Sequence, residues 1–272
     1  MQIAVVGCGW LGLPLATNLQ KSGHTIMATC RSEKKAKALT QLGFNAEKFE
    51  LGNTLTYQRL DKLFTAQVLV LNIPVGRKAP TTEHFVLHMQ ELLKHAANSQ
   101  IQNIIFISTT SVYGDSSAIV TEKSPTNANT QSGQINLAVE DSVKAHFKDR
   151  YTIIRPAGLV GKDRHPANYL AGKIDLPNPN NVVNLVHQDD VIQGIESVIK
   201  KEIWGQTLVL SALEHPTRHV YYSWAAEQLN LTAPTFIEHQ VQEQPIGKLI
   251  DASSSLGILD MQLKYPSPFD ML

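Results

Sequence analysis

Apolar residues along this chain fall into short runs that alternate with stretches of helical spacing. Ile3–Val6 is a short, mostly β-branched run that ends at Gly7. Behind it Leu11, Leu15 and Leu19 recur at i, i+4 and i+8. They make one face of a helix over 11–22, with Pro14 tolerable only in its first turn and Gly23 as its stop. Thr25–Thr29 reads as a second strand and Lys34–Leu42 as a helix closed by Gly43. The alternation continues with a strand at Val68–Ile73 ending at Pro74, and a helix over Glu83–Ala97 with Phe85, Met89, Leu92 and Leu93 on one face. A strand at Ile104–Ser108, a helix over Asn136–Phe147 and a strand at Tyr151–Arg155 follow. Strands this apolar are covered by helices on both faces, so the predicted class is α/β with a doubly wound parallel sheet.

After Pro156 the texture changes. Gly158, Gly161, Pro166, Gly172, Pro177 and Pro179 mark 157–182 as loop-rich. Asp189–Lys200 is helical again and Thr207–Ser211 strand-like. The expected organisation is a core of 1–156 to whose sheet 183–212 returns, with 157–182 and 213–272 forming a smaller C-terminal substrate lobe.

Composition narrows the function. The chain has 272 residues, 43% apolar and 18% charged, which excludes disorder, collagen and coiled coil. Its 24 Lys+Arg balance 24 Asp+Glu, so no basic excess steers it onto nucleic acid or an anionic membrane. The longest apolar run, around Val68–Leu71, is too short to span a bilayer, and Met1–Gly7 lacks the marks of a secretory signal. Two cysteines, Cys8 and Cys30, are too few for a disulfide framework, so the expected setting is the reducing cytoplasm. No metal-ligand spacing and no Ser–His–acid arrangement is present.

Residues 7–12 read Gly7-Cys8-Gly9-Trp10-Leu11-Gly12, a G-x-G-x-x-G between a strand and an amphipathic helix. Each glycine has its own reason: Gly7 for the tight turn, Gly9 for close backbone approach to a pyrophosphate, and Gly12 for helix–strand packing. The helix start then offers free N–H groups to the phosphates. The turn is the expected cofactor contact, with Cys8 as a small space-filler and Trp10 packing on the core. An NAD site carries an acid about 20 residues on. Here the stretch is Ala28-Thr29-Cys30-Arg31-Ser32. Arg31 suits a 2′-phosphate bidentately, and Ser32 or Lys35 adds a contact, so NADP is preferred and NAD remains possible. Asn72, Ile73 and Pro74 border the cofactor, whereas Arg77 and Lys78 read as solvated.

Ser108-Thr109-Thr110-Ser111-Val112-Tyr113-Gly114 resembles the S-[ST]-x-x-V-Y-G stretch of extended short-chain dehydrogenases/reductases, which include nucleotide-sugar epimerases and dehydratases. The glycine turn also resembles that of β-hydroxyacid dehydrogenases, but those continue into an all-helical domain. Further matches follow in order: Glu122 with Pro125, Ile154-Arg155-Pro156 with Gly158 and Gly161, and Val186-His187 before Asp190-Val191. The resemblance implies a Rossmann-type fold, a nicotinamide dinucleotide, and a role for Thr109 in holding the substrate's reacting oxygen. It also implies a small-molecule substrate such as a nucleotide sugar, and a homodimer through the helix at 83–97.

The departures concern catalysis. The family's turn is G-x-x-G-x-x-G, whose first glycine is Val6 here. Its Tyr-x-x-x-Lys pair, anchored on Glu140, falls on Ser132 and Asn136, and neither titrates near neutrality. Tyr169 and Lys173 repeat that spacing, but in the loop-rich lobe. Tyr113, His165 and His187 are alternative proton donors, with capping or exposure as the simpler account of the histidines. Two functions therefore stand: an NADP-preferring epimerase/dehydratase-like oxidoreductase lacking the usual pair, acting on a carbonyl or sugar-type substrate, or a non-catalytic NADP-binding sensor.

Overall fold

A computed structural model describes residues 1–53, 60–75, 82–115, 118–237 and 246–272. Arg77 and Lys78 lie outside the described residues. The apolar runs form strands β1 (Gln2–Val6), β2 (Thr25–Cys30), β4 (Val68–Leu71), β5 (Asn103–Ile107), β6 (Tyr151–Pro156) and β7 (Gln206–Leu210), joined by β3 (Asn45–Lys48). They make one parallel sheet in the order β7-β6-β5-β4-β1-β2-β3. Ile3–Val6 are wholly buried between neighbours on both sides, with Ile3 opposite both Ile26 and Val68. The order reverses between β1 and β4. That is the switch point at whose carboxyl side ligands bind in such sheets.

Helices α1 (Gly12–Lys21), α2 (Glu33–Gln41), α3 (Thr82–Ala97) and α4 (Gln131–Phe147) follow the strands they cover. α1 buries Leu15, Ala16 and Leu19, with Pro14 in its first turn as expected. α3 turns Met89, Leu92, Leu93 and Ala96 into a core shared with Leu69, Leu71, Phe106, Val143 and Phe147.

Three elements depart from the sequence reading. β3 carries Asn45, Glu47 and Lys48 and lies at the sheet edge, where polar side chains deter further pairing. Its anchors, Phe44 and Phe49, are buried just outside it. β4 ends at Leu71 rather than Ile73, although the Asn72 N–H still donates to the Val6 carbonyl at 2.8 Å. α4 begins five residues before Asn136. Thr130 caps it, Oγ1 accepting from the Gly133 N–H at 3.1 Å, and a Cβ on Gly133 would meet the Ser111 carbonyl at 2.6 Å. The glycine that weakens the helical pattern is there for close packing.

The chain divides into two units. The first is Met1–Val112, Ala128–Ile154 and Val198–Thr207, and the second is Tyr113–Asn127, Arg155–Ser197 and Leu208–Leu272. Further helices are α5 (Gln188–Lys201), α6 (Arg218–Gln228) and α7 (Ser253–Leu259). Residues 157–182 are less irregular than expected: Gly158–Val160 pairs in parallel with Leu185–His187, and Ala167–Leu170 makes one helical turn. The second unit packs Val160, Leu185, Tyr221, Ala225, Phe236 and Met271 together. Polar ties reinforce it. The buried Asp190 carboxylate accepts from the backbone N–H groups of Lys264 at 2.6 Å and Tyr265 at 3.3 Å. Among the described residues no helix is long and apolar enough to cross a membrane.

His165 shows how tightly this unit is held. Its Nδ1 accepts from the Ala167 N–H at 3.2 Å, so the ring proton is on Nε2, which donates to the Tyr221 hydroxyl at 2.8 Å. Tyr221 passes the chain on, donating to the Pro268 carbonyl at 3.1 Å. Burial pushes the His165 pKa from 6.5 down to about 4. The folded state therefore binds fewer protons than the unfolded state between those values, and stability falls as the pH drops through that window. The effect is bounded at about 3 kcal/mol. Thermal melts should show a smaller loss of Tm from pH 7 to pH 4.5 in His165→Asn than in the parent protein; parallel curves would refute the assignment.

Candidate functional site

The glycine turn sits at the switch point and is built from backbone contacts. Gly7 adopts φ +101°, and a Cβ there would lie 2.2 Å from the Asn72 carbonyl oxygen. A Cβ on Gly12 would lie 2.4 Å from the Gly7 carbonyl oxygen, so no other residue lets α1 start this close to β1. Gly9 differs: a Cβ there would meet no protein atom nearer than 3.9 Å. Nothing in the protein requires a glycine at that point, and the open space is what close approach of a phosphate group needs. Thr29 secures the turn, its Oγ1 accepting from the Gly7 N–H at 3.0 Å and its carbonyl from the Cys8 N–H at 2.8 Å. The sequence reading did not single out Thr29; a threonine one residue before a strand's end carries no signal of its own.

The other residues of the turn take ordinary places. Cys8 is buried, and burial raises its thiol to about 11, so it fills space as a neutral thiol. Trp10 is half-buried and Leu11 is buried at the start of α1. Asn72 bridges the strands, Nδ2 donating to the Gly7 carbonyl at 3.2 Å, while Ile73 is half-buried and Pro74 exposed. Arg31 is exposed just past β2. Ser32 caps α2, Oγ accepting from the Lys35 N–H at 3.3 Å. Lys35 is half-buried, and its charge is felt by both the Cys8 and the Cys30 thiol.

Past β5 a second polar cluster forms. Ser108 Oγ donates to the fully buried Glu140 carboxyl at 2.5 Å, tying β5 to α4. Thr109 Oγ1 accepts from the Ser111 N–H at 3.1 Å and lies 3.1 Å from Ser111 Oγ. It therefore caps the turn Thr110–Tyr113. The hydroxyl pair can run its hydrogen bond either way, and one direction frees the Thr109 proton for an incoming oxygen. Ser132 and Asn136 lie one turn apart on α4, and Asn136 Nδ2 donates to the Ser132 carbonyl at 2.8 Å.

In the second unit the alternative proton donors are already engaged. Tyr113 is 3% exposed. Arg155 Nη1 donates to its hydroxyl at 2.8 Å, and the guanidinium lies 4.9 Å from its ring centre. His187 Nδ1 accepts from the Asp189 N–H at 3.1 Å, and the ring packs 3.9 Å from that of Tyr265. Burial lowers its pKa, with Asp189 opposing the shift. Tyr169 is 65% exposed and Lys173 is exposed. Glu122 Oε1 accepts from Ser254 Oγ at 2.9 Å. One group escaped the sequence reading: Lys248, half-buried, whose Nζ donates to the Gly114 carbonyl at 2.7 Å.

Known proteins share this frame. Protein YeeZ of Escherichia coli K12 is 35% identical over 272 residues, covering 99% of this chain and 98% of that protein. The UDP-glucuronic acid 4-epimerase of Bacillus cereus, solved with NAD, superposes with a TM-score of 0.80 at 19% identity, covering 100% of this chain and 96% of that one. The UDP-N-acetylglucosamine 4-epimerase of Bacillus cereus gives 0.77 at 17%, with 97% and 94% covered. At that identity the two epimerases show the shared fold. The model of the NAD dependent epimerase/dehydratase family matches residues 3–211. Since that stretch runs from the glycine turn through the Ser108–Gly114 segment to β7, and the Escherichia coli relative matches end to end, the chain belongs to the NAD dependent epimerase/dehydratase family.

Proposed function

We propose that this protein is an NADP-preferring oxidoreductase of the epimerase/dehydratase type, acting on a carbonyl or sugar-type substrate such as a nucleotide sugar, without the Tyr-x-x-x-Lys pair. One observation carries the reading: Gly9 leaves open the space beside the start of α1 that a diphosphate bridge would fill, while Gly7 and Gly12 are closed by the protein itself. The bound nicotinamide would supply hydride transfer. The protein's own part is binding and orientation. The Gly7–Gly12 turn and the positive end of the α1 dipole hold the phosphates, Asn72 to Pro74 border the coenzyme, and Arg31 with Lys35 takes the 2′-phosphate. Thr109 Oγ1 holds the reacting oxygen, with Ser111 Oγ accepting or supplying its proton. Tyr113, sealed under Arg155, holds the loop that carries Thr109 rather than meeting substrate.

Nucleotide sugars are favoured because two structures of this fold were solved with UDP-glucose or UDP-glucuronic acid beside NAD. The lobe of 157–182 and 213–272 would bind the sugar. The setting would be the cytoplasm, where the buried, free Cys8 and Cys30 stay reduced. The inner face of α3 lies in its own unit's core, so a homodimer through α3 would use the outer face around the exposed Leu87. A non-catalytic coenzyme sensor is the second reading, favoured by the unreactive Ser132–Asn136 pair.

Two tests follow. Fluorescence titration should show NADPH binding about 10- to 100-fold tighter than NADH, with the difference lost in Arg31→Ala; tighter NADH, or an unchanged ratio, sinks the preference. Gly9→Ala should abolish coenzyme binding at an unchanged Tm, whereas Gly12→Ala should lose about 1–3 kcal/mol of stability through the clash with Gly7. Normal coenzyme binding by Gly9→Ala would overturn the phosphate assignment.

A further inference from the structure

Arg218, at the start of α6, carries a charge that neither the glycine turn nor the polar cluster past β5 uses. Its guanidinium is held from two sides. Nη1 donates to the Pro177 carbonyl at 2.6 Å and to the Asn178 carbonyl at 3.5 Å, and the group lies 5.7 Å from the ring centre of the buried Phe236. Arg218 is half-buried, yet among the described residues no carboxylate comes within 4 Å of it. Its Nε and Nη2 edge makes no hydrogen bond to a described residue.

Fastening the loop before α6 does not account for an arginine here, because main-chain bonds already do that. The Arg218 N–H donates to the Asn181 carbonyl and the His219 N–H to the Pro179 carbonyl, both at 2.9 Å, and the Val183 N–H donates to the Pro216 carbonyl at 2.8 Å. A half-buried cation without a counter-ion costs free energy, so its presence points to an anion that arrives from solution. Asn181, bonded to Arg218 through the main chain, is half-buried as well. Its carboxamide bonds to no described residue and rests over Gly247, where a Cβ would lie 3.7 Å from Asn181 Cγ. The planar edge of a guanidinium matches two oxygens of a carboxylate or a phosphate, which a lysine ammonium cannot do.

We propose that Arg218, with Asn181 beside it, receives an anionic oxygen group of the ligand, a carboxylate or a phosphate. The ligand of this lobe is then an acidic sugar or a sugar phosphate rather than a neutral carbohydrate. The site lies wholly within the second unit. It rests on the reading of this lobe as the one that binds a sugar-type substrate, and it is independent of the coenzyme.

Calorimetric titration of the whole protein with UDP-glucose, whose anionic group is the diphosphate, and with UDP-glucuronic acid, which adds a carboxylate, tests the assignment. Arg218→Gln should weaken the binding of UDP-glucuronic acid about 10- to 100-fold. An equal loss for UDP-glucose identifies the diphosphate as the group received; unaltered binding of UDP-glucose identifies the carboxylate. Arg218→Lys keeps the charge and a donor for the two carbonyls but loses the fork. It should show the parent Tm with binding of the same ligand weakened about 10-fold. Unchanged affinity for both ligands in Arg218→Gln overturns the assignment and leaves the sugar reading in place, as does parent affinity in Arg218→Lys where the glutamine variant does not fold. Failure of the parent protein to bind either ligand overturns the sugar reading, and the assignment with it.

Discussion

The close approach of α1 to the end of β1 is the constraint on which the site depends. It exists because Gly12 has no Cβ to strike the Gly7 carbonyl, and because Gly7 turns at φ +101° under the Asn72 carbonyl. That approach places the start of α1, the positive end of its dipole, at the switch point between β1 and β4. Asn72 closes the arrangement by donating to the same Gly7 carbonyl that Gly12 leaves room for. A side chain at either glycine would push helix and strand apart, and the anion-binding end of α1 would move with it.

Residues that bury apolar surface with a clear period were legible before the structure. β1, β2, β5 and β6, with α1, α2 and α3, lie within a residue or two of where the pattern places them. Less legible were elements whose reason is not burial. β3 is polar because it is an edge, and its two phenylalanines lie outside it. The first turn of α4 is disguised by Gly133, set by the Ser111 carbonyl overhead rather than by helix propensity. The glycine turn announced itself because two of its positions, Gly7 and Gly12, are set by local sterics and the third, Gly9, faces open space. Lys248 did not, since nothing in a sequence indicates which of many lysines will fold back onto a carbonyl 134 residues away.

The titratable groups of the second unit are arranged to stay as they are. His165 and His187 each spend Nδ1 on a nearby backbone N–H, and burial disfavours the charged ring in both. Tyr221 is raised by burial and donates into the Pro268 carbonyl. Such groups hold loops: the turn at Ala167, the start of α5 and the tail after Lys264 hang from them. A proton shuttle needs the opposite, a group with spare hydrogen-bonding capacity and two accessible charge states. The simpler account holds for His187, which caps, but His165 is buried rather than exposed, so its ordinary pKa is a property the fold has removed.

The same reasoning separates an enzyme from a coenzyme sensor. A sensor needs the glycine turn and a surface to report binding; it has no need for an exact placement of Thr109. Yet that placement is over-determined. Ser108 is fastened to Glu140, a carboxyl with 0% exposure, and burying such a group is costly unless its hydrogen bonds are met. An apolar contact would join β5 to α4 at lower cost, but it would slide, whereas a short directional bond fixes the rotation of Ser108 and so the exit angle of the chain into Thr109. From the far end of the segment, Arg155 pins Tyr113 and Lys248 pins Gly114. Seven consecutive residues held at both ends give Thr109 a fixed position, which the enzyme proposed above would use to orient a reacting oxygen and which a sensor would not require.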